Sequence, residues 1–136
     1  MSVAQNLSYA IVQVAHNFGA LAAVGGSLAA VKFRGVDTRK KLAWLALAGW
    51  GTQALSGVAF GAVSYYFYHR LPDIAGIALA ALVIKMACVA IGFLLLAAYL
   101  FRGADWPVAR MNAAWIASSA LAVGALTAAA FLRWFS

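Results

Sequence analysis

The chain has 136 residues, of which 66% are hydrophobic and 10% charged, with a formal net charge of +7 and a mean hydropathy of +0.91. A water-soluble domain carries roughly a quarter charged residues, so the aqueous globular class is excluded. The composition instead predicts an all-α integral membrane protein with almost nothing left over for a soluble domain.

Four apolar runs divide the chain, at 7–31, 42–68, 74–101 and 111–132, each longer than the ~20 residues that cross a bilayer. They predict one domain, a four-helix transmembrane bundle. The start, MSVAQNLSYA, has no Lys or Arg ahead of its apolar run. That run is also too long for a signal-peptide core, so it is expected to stay as the first span. The next connection, KFRGVDTRKK at 32–41, holds Lys32, Arg34, Arg39, Lys40 and Lys41. The second span passes through GVAFG, where Gly57 and Gly61 have the small-xxx-small spacing of close helix packing. Ordinary packing is expected there, not a dedicated dimer contact. The connection HRLPD has only Arg70, and its His69 reads as a solvated interfacial residue. The third span contains Cys88, the single cysteine, which can form no internal disulfide. Arg102 and Arg110 occupy the last connection, 102–110, and Arg133 the tail.

Seven basic residues thus fall at one end of the bundle against two at the other. Positive-inside logic places the 32–41 and 102–110 loops in the cytoplasm and both termini outside, as in a bacterial inner membrane. This distribution accounts for the net charge, so nucleic acid is not an expected partner; a contact with anionic lipid is. Short connections make successive helices antiparallel neighbours in an up-down bundle. Pro72 and Pro107 fall in loops, and Tyr65, Tyr66, Tyr68, Trp106 and Trp134 form an interfacial belt.

Ionisable side chains deep in a bilayer cost at least ~2.5 kcal/mol and usually face a bundle interior or a wet cavity. Two qualify, His16 and Lys85. At 1.5 Å per residue, His16 lies about 14 Å and Lys85 about 17 Å below the outer ends of their spans, with Gln53 on the second span at about 22 Å. Three polar groups on three helices therefore share one level. At ~100° per residue, His16 shares a stripe with Tyr9, Gln13, Ala20, Ala23 and Ser27. Lys85 lies with Ala78, Ala81, Cys88, Gly92 and Tyr99. Gln53 lies with Ala46, Gly49, Trp50, Ser56, Gly57 and Ser64. Each polar residue sits on the small-residue face that packs on other helices. Gln13, Asn17 and Gln53 could equally be interhelical hydrogen-bond glue. Lys85 is harder to absorb that way, because Asp37, Asp73 and Asp105 are all expected in loops. It is expected to pair with a bound anion or a cofactor carboxylate, or to stand neutral in an apolar setting. A site built from several imidazoles and thiolates is not expected from two His and one Cys.

His16 followed after eight residues by Gly25-Gly26, the segments RKKLAWLAL and LSGVAFG, and Lys85 within GIALAALVIKMACVAIGFLLLAAYLFR together resemble the copper-resistance protein D family. They are similar also to the four-helix haem-associated protoporphyrinogen oxidases. The resemblance implies a haem b pocket in which His16 is an axial ligand to the metal and Lys85 lies near a propionate or a substrate carboxylate. Val24 stands where those families carry a tryptophan, and there is no second intramembrane histidine. The resemblance then implies a five-coordinate haem, or a second axial ligand from Met86, Lys85 or a partner's histidine.

Three functions are expected from these features. The first is a redox-associated membrane protein holding haem b or a quinone among helices one to three, with His16, Lys85, Gln53 and Gln13 as the binding residues. Such a protein could be a subunit of a larger electron-transfer complex. The second is a non-catalytic accessory subunit, with other membrane subunits or further copies of itself as partners. The third is a small metal or solute carrier, although four short helices without an internal repeat offer little transporter machinery.

Overall fold

A computed structural model describes residues 2–136 as four long helices, α1 (Val3–Lys32), α2 (Val36–Tyr68), α3 (Gly76–Arg102) and α4 (Val108–Phe135), with a single 3-10 turn at Gly103–Asp105. The helix starts follow from local chemistry. Ser2 Oγ accepts from the Gln5 backbone N–H at 3.2 Å and caps α1. Pro107, with φ −63°, opens α4 where no N–H is needed. At the other end of α2, His69 closes the helix in the left-handed conformation (φ 54°), and the Ser64 hydroxyl donates to the Arg70 carbonyl at 3.2 Å across the turn. Gly76 at φ +56° then lets the chain enter α3.

Consecutive helices pack side by side, α1 on α2 and α3 on α4 most extensively, and the α2–α3 and α1–α4 contacts close the ring. α1 and α3 therefore face each other across the diagonal. The α1–α2 contact is made by residues too small to hold the helices apart. Gly19, Ala23, Gly26 and Ala30 of α1 are buried against Ala43, Ala46 and Gly49 of α2. A Cβ on Gly49 would strike the backbone of Ala23, Ala22 and Gly19, and one on Gly19 would lie 2.9 Å from Thr52 Cβ. Between α2 and α3, the fully buried ring of Trp50 lies directly over Gly92. Trp115, Leu96 and Tyr99 complete the core, with the Tyr99 and Trp115 rings edge-to-face at 5.1 Å. A buried pair of hydroxyls, Ser27 and Ser118 at 2.8 Å, ties α1 to α4.

Three of the helices, α1, α3 with its 3-10 extension, and α4, are long and apolar enough to cross a membrane. α2 is not among them, because Gly49, Gly51, Thr52, Gln53, Ser56 and Gly57 interrupt its apolar run. Three sequence expectations also change. The first connection is much shorter than 32–41, since α2 starts at Val36 and leaves only three residues between the helices. Asp37 in the first turn of α2 suits the positive end of the helix dipole. Arg39, expected among free loop charges, is buried and donates from Nε to the Ala30 carbonyl at 3.0 Å, closing the α1–α2 corner. Gly57 and Gly61 do not form a close helix contact: a Cβ on Gly57 would meet nothing within 4 Å, and one on Gly61 only Leu71 Cδ2 at 3.9 Å. The close approaches lie instead at Gly19, Gly26, Gly49 and Gly92.

Candidate functional site

The core side chains sit mostly in the half of the bundle nearer the Lys32 and Arg102 ends. On α1 the contrast is sharp: no residue from 6 to 18 is buried, whereas six buried residues of the helix include Gly19, Ala23, Gly26, Ser27 and Ala30. His16 lies just past this boundary, on the face that turns inward. Its backbone carbonyl accepts from Gln53 Nε2 at 2.5 Å, which pins the middle of α2 to α1. Its ring is framed by Phe60, edge-on with centroids 5.6 Å apart, and Tyr9 stacks on Phe60 at 6.4 Å.

Both nitrogens of the imidazole are engaged. Nδ1 lies 2.7 Å from Ser56 Oγ, and Nε2 lies 2.9 Å from Lys85 Nζ. The single hydroxyl proton of Ser56 is directed at the Thr52 carbonyl, 2.5 Å away. Its oxygen is then the acceptor toward His16, so Nδ1–H donates to Ser56, and Nε2 accepts from Lys85. The result is a continuous chain of hydrogen bonds from α3 through α1 to α2: Lys85 to His16 to Ser56 to the Thr52 carbonyl. It crosses the diagonal of the bundle, between helices that otherwise make little contact.

Lys85 and His16 are both half-buried, so the pair is held by the bundle yet reachable. An ammonium carries three N–H donors, and one is committed to His16. No salt bridge balances it among the described residues. Asp37, Asp73 and Asp105 are all exposed near helix ends. The site can therefore offer the remaining Lys85 N–H donors to an acceptor oxygen, with the lysine held in place by the imidazole.

The residues expected from the sequence divide clearly. His16, Lys85 and Gln53 meet in one cluster. Gln13 does not reach it: its side chain is exposed and donates from Nε2 to Asn17 Oδ1 at 2.7 Å on the outer flank of α1. Ser56 belongs to the cluster although it was visible only as a member of the Gln53 stripe. Its signal was the three-residue spacing from Gln53, which places both on one helix face. Met86 is exposed, and Cys88 is half-buried beside Gly124. His69 is exposed at the end of α2. Among the described residues, no three His, Cys, Asp or Glu side chains gather where they could hold a metal ion.

Comparison of the chain with family models, with curated proteins and with solved structures finds no match.

Proposed function

We propose that this chain is a small redox-associated membrane protein that holds a quinone-like ligand at the His16–Lys85 pair. The observation that carries the reading is the 2.9 Å bond between the two mid-helix ionisable side chains, with spare lysine N–H donors and no carboxylate partner. A quinone headgroup is planar, membrane-soluble and presents carbonyl oxygens, which is what such donors require. When bound it would supply reversible two-electron, two-proton chemistry. Lys85 would donate to a carbonyl oxygen and hold it. His16 would keep Lys85 in place, its own ring fixed by the bond from Nδ1–H to Ser56. Phe60 and Tyr9 offer flat aromatic walls beside the imidazole.

Haem b, the ligand implied by the resemblance to the protoporphyrinogen oxidases, fits the same residues less directly. Axial ligation needs a free imidazole nitrogen, and both are occupied by protein groups. Lys85 would have to turn away from Nε2 before an iron could take its place. A propionate beside Lys85 remains chemically sensible, so the two ligands are separated by experiment. The protein, purified in mild detergent, is scanned for a Soret band and extracted with organic solvent for quinone. Near-equimolar quinone without a Soret band supports the proposal. A Soret band that disappears in His16→Ala replaces quinone by haem, and the absence of both overturns the ligand reading.

The topology belongs to the same proposal. We infer that α2 crosses the membrane as a fourth span, with both termini on the periplasmic side of a bacterial inner membrane and the basic loops in the cytoplasm. α2 runs alongside α1 over most of its length, from Arg39 at Ala30 through Gln53 at His16 to Phe60 at Tyr9. A helix so tied to a spanning partner shares its depth, and its polar Gln53 and Ser56 are buried and bonded to α1. An accessory-subunit role is the second reading, favoured by the uncovered stretch from 6 to 18 on α1. Recovery of the protein only within a larger assembly, without ligand of its own, would select it.

A further inference from the structure

We propose that two copies of this chain associate in parallel along α1, through a seam of exposed residues at heptad spacing centred on Asn17. The proposal is independent of the ligand at His16. Leu7, Val14, Leu21 and Leu28 recur every seven residues, and each is between 49% and 67% exposed in the isolated chain. Ala10, Asn17 and Val24 recur at the same interval three residues later, so the spacing alternates strictly between three and four. Ala10 and Asn17 are exposed as well, and Val24 is half-buried at the edge of the seam. Alternation of three and four is the repeat by which two helices keep one stripe in mutual contact as they coil. From Leu7 to Leu28 the stripe is about 31 Å long at 1.5 Å per residue, close to the ~30 Å of a bilayer's hydrocarbon core.

An apolar stripe on a membrane helix needs no partner, because lipid covers it. Asn17 is different. It stands halfway along α1, on the face turned away from α2, and its side chain's only hydrogen bond among the described residues is the one it accepts from Gln13 at 2.7 Å. That bond uses Asn17 Oδ1 and one N–H of Gln13. It leaves the Asn17 amide hydrogens, the second Gln13 N–H and Gln13 Oε1 facing hydrocarbon, which can satisfy none of them. The leftover Asn17 donors and the Gln13 oxygen are complementary to one another. A two-fold axis along the membrane normal brings Asn17 Nδ2 of each copy toward Gln13 Oε1 of the other, with both bonds made at once. A second copy supplies these groups at the matching depth and orientation by construction. An unrelated helix would need its own polar pair at the same level. A single Asn within an apolar heptad seam is also the device that fixes register and copy number.

The test uses the full chain with Cys88→Ala, which removes the only thiol. Cysteine is introduced singly at Val14 or Leu21 in the seam, and at Ile11 or Phe18, which are equally exposed but lie further round α1. Proteoliposomes at high lipid-to-protein ratio are then oxidised. The seam positions are expected to form covalent dimers several-fold more than Ile11→Cys or Phe18→Cys. In parallel, energy transfer between labelled copies in detergent gives the dimer equilibrium. Asn17→Leu is expected to weaken it about tenfold and Asn17→Gln to retain most of it. Because the Asn17 side chain is exposed, Asn17→Leu should keep wild-type helicity by circular dichroism. A monomer at all concentrations, equal cross-linking at the four positions, or an Asn17→Leu dimer as tight as wild type would each overturn the proposal.

Discussion

Gly49→Ala tests whether the close α1–α2 contact is what builds the site. The added Cβ would lie 2.7 Å from the Gly19 carbonyl oxygen and 3.0 Å from the Ala22 carbonyl carbon, and nearer still to the Ala23 nitrogen. All three obstacles are backbone, so no rotamer change can relieve the clash. Comfortable contact begins near ~3.5 Å, so the helices must part by roughly 1 Å. A shift of that size carries Gln53 Nε2 away from the His16 carbonyl, now at 2.5 Å, and Ser56 Oγ away from Nδ1, now at 2.7 Å. Overpacking in a close-packed contact costs about 1–3 kcal/mol. Two interhelical hydrogen bonds add about 0.6 kcal/mol each. The expected loss is therefore about 2–4 kcal/mol, with the larger part from packing. Equilibrium unfolding in mixed micelles of dodecyl maltoside and SDS, followed by tryptophan fluorescence, measures it. Gly57→Ala on the same helix is the control, since its Cβ meets nothing within 4 Å. It is expected to be neutral or stabilising by up to about 1 kcal/mol through helix propensity. Gly49→Ala within 0.5 kcal/mol of wild type would refute the inference that this glycine sets the spacing.

Other substitutions probe the rest of the frame. Gly92→Ala puts a Cβ 2.5 Å from Trp50 Cε2, under a ring with 1% exposure; it should cost about 1–3 kcal/mol and alter the near-ultraviolet circular dichroism of the tryptophans. An unchanged spectrum and stability would show that the Trp50 pocket can open freely. Ser27→Ala and Ser118→Ala each break the 2.8 Å bond between α1 and α4. A double-variant cycle in the same micelles should give a coupling of about 0.5–1.5 kcal/mol, and a coupling of zero would remove that bond from the structure.

Much of the site was legible in the sequence because a transmembrane helix converts residue number into depth and angle. Lys85 and His16 fall at one level by counting rise per residue, and Ala78, Ala81, Gly92 and Tyr99 are indeed buried on the lysine's side of α3. The stripe of Gln53 with Ala46, Gly49, Trp50, Ser56 and Ser64 is buried throughout, apart from Gly57. What periodicity cannot supply is which neighbour covers the flank of a stripe. Gln13 sits about 60° round the helix from His16, near enough to share its stripe on a helical wheel. Neither α2 nor α4 covers that flank, so the amide turns to Asn17 instead. Gly57 and Gly61 were misread for a related reason. Small residues at four-residue spacing show where a helix could be approached closely, and the partner's position decides where it is. Arg39 shows the limit of charge counting, since the short corner between α1 and α2 brings its guanidinium onto the Ala30 carbonyl.

The central claim, that the Lys85–His16 pair presents N–H donors to an acceptor oxygen of a membrane-soluble ligand, is tested most directly by Lys85→Met. Methionine keeps the volume and removes the charge, so the bundle should be at least as stable as wild type, with its helicity intact. Binding is measured by titrating a short-chain ubiquinone into wild type and variant in detergent and following tryptophan quenching. Wild type is expected to bind saturably at one quinone per chain, and Lys85→Met at least tenfold more weakly, the loss of about one charged hydrogen bond. Equal affinity in a folded Lys85→Met protein would contradict the claim.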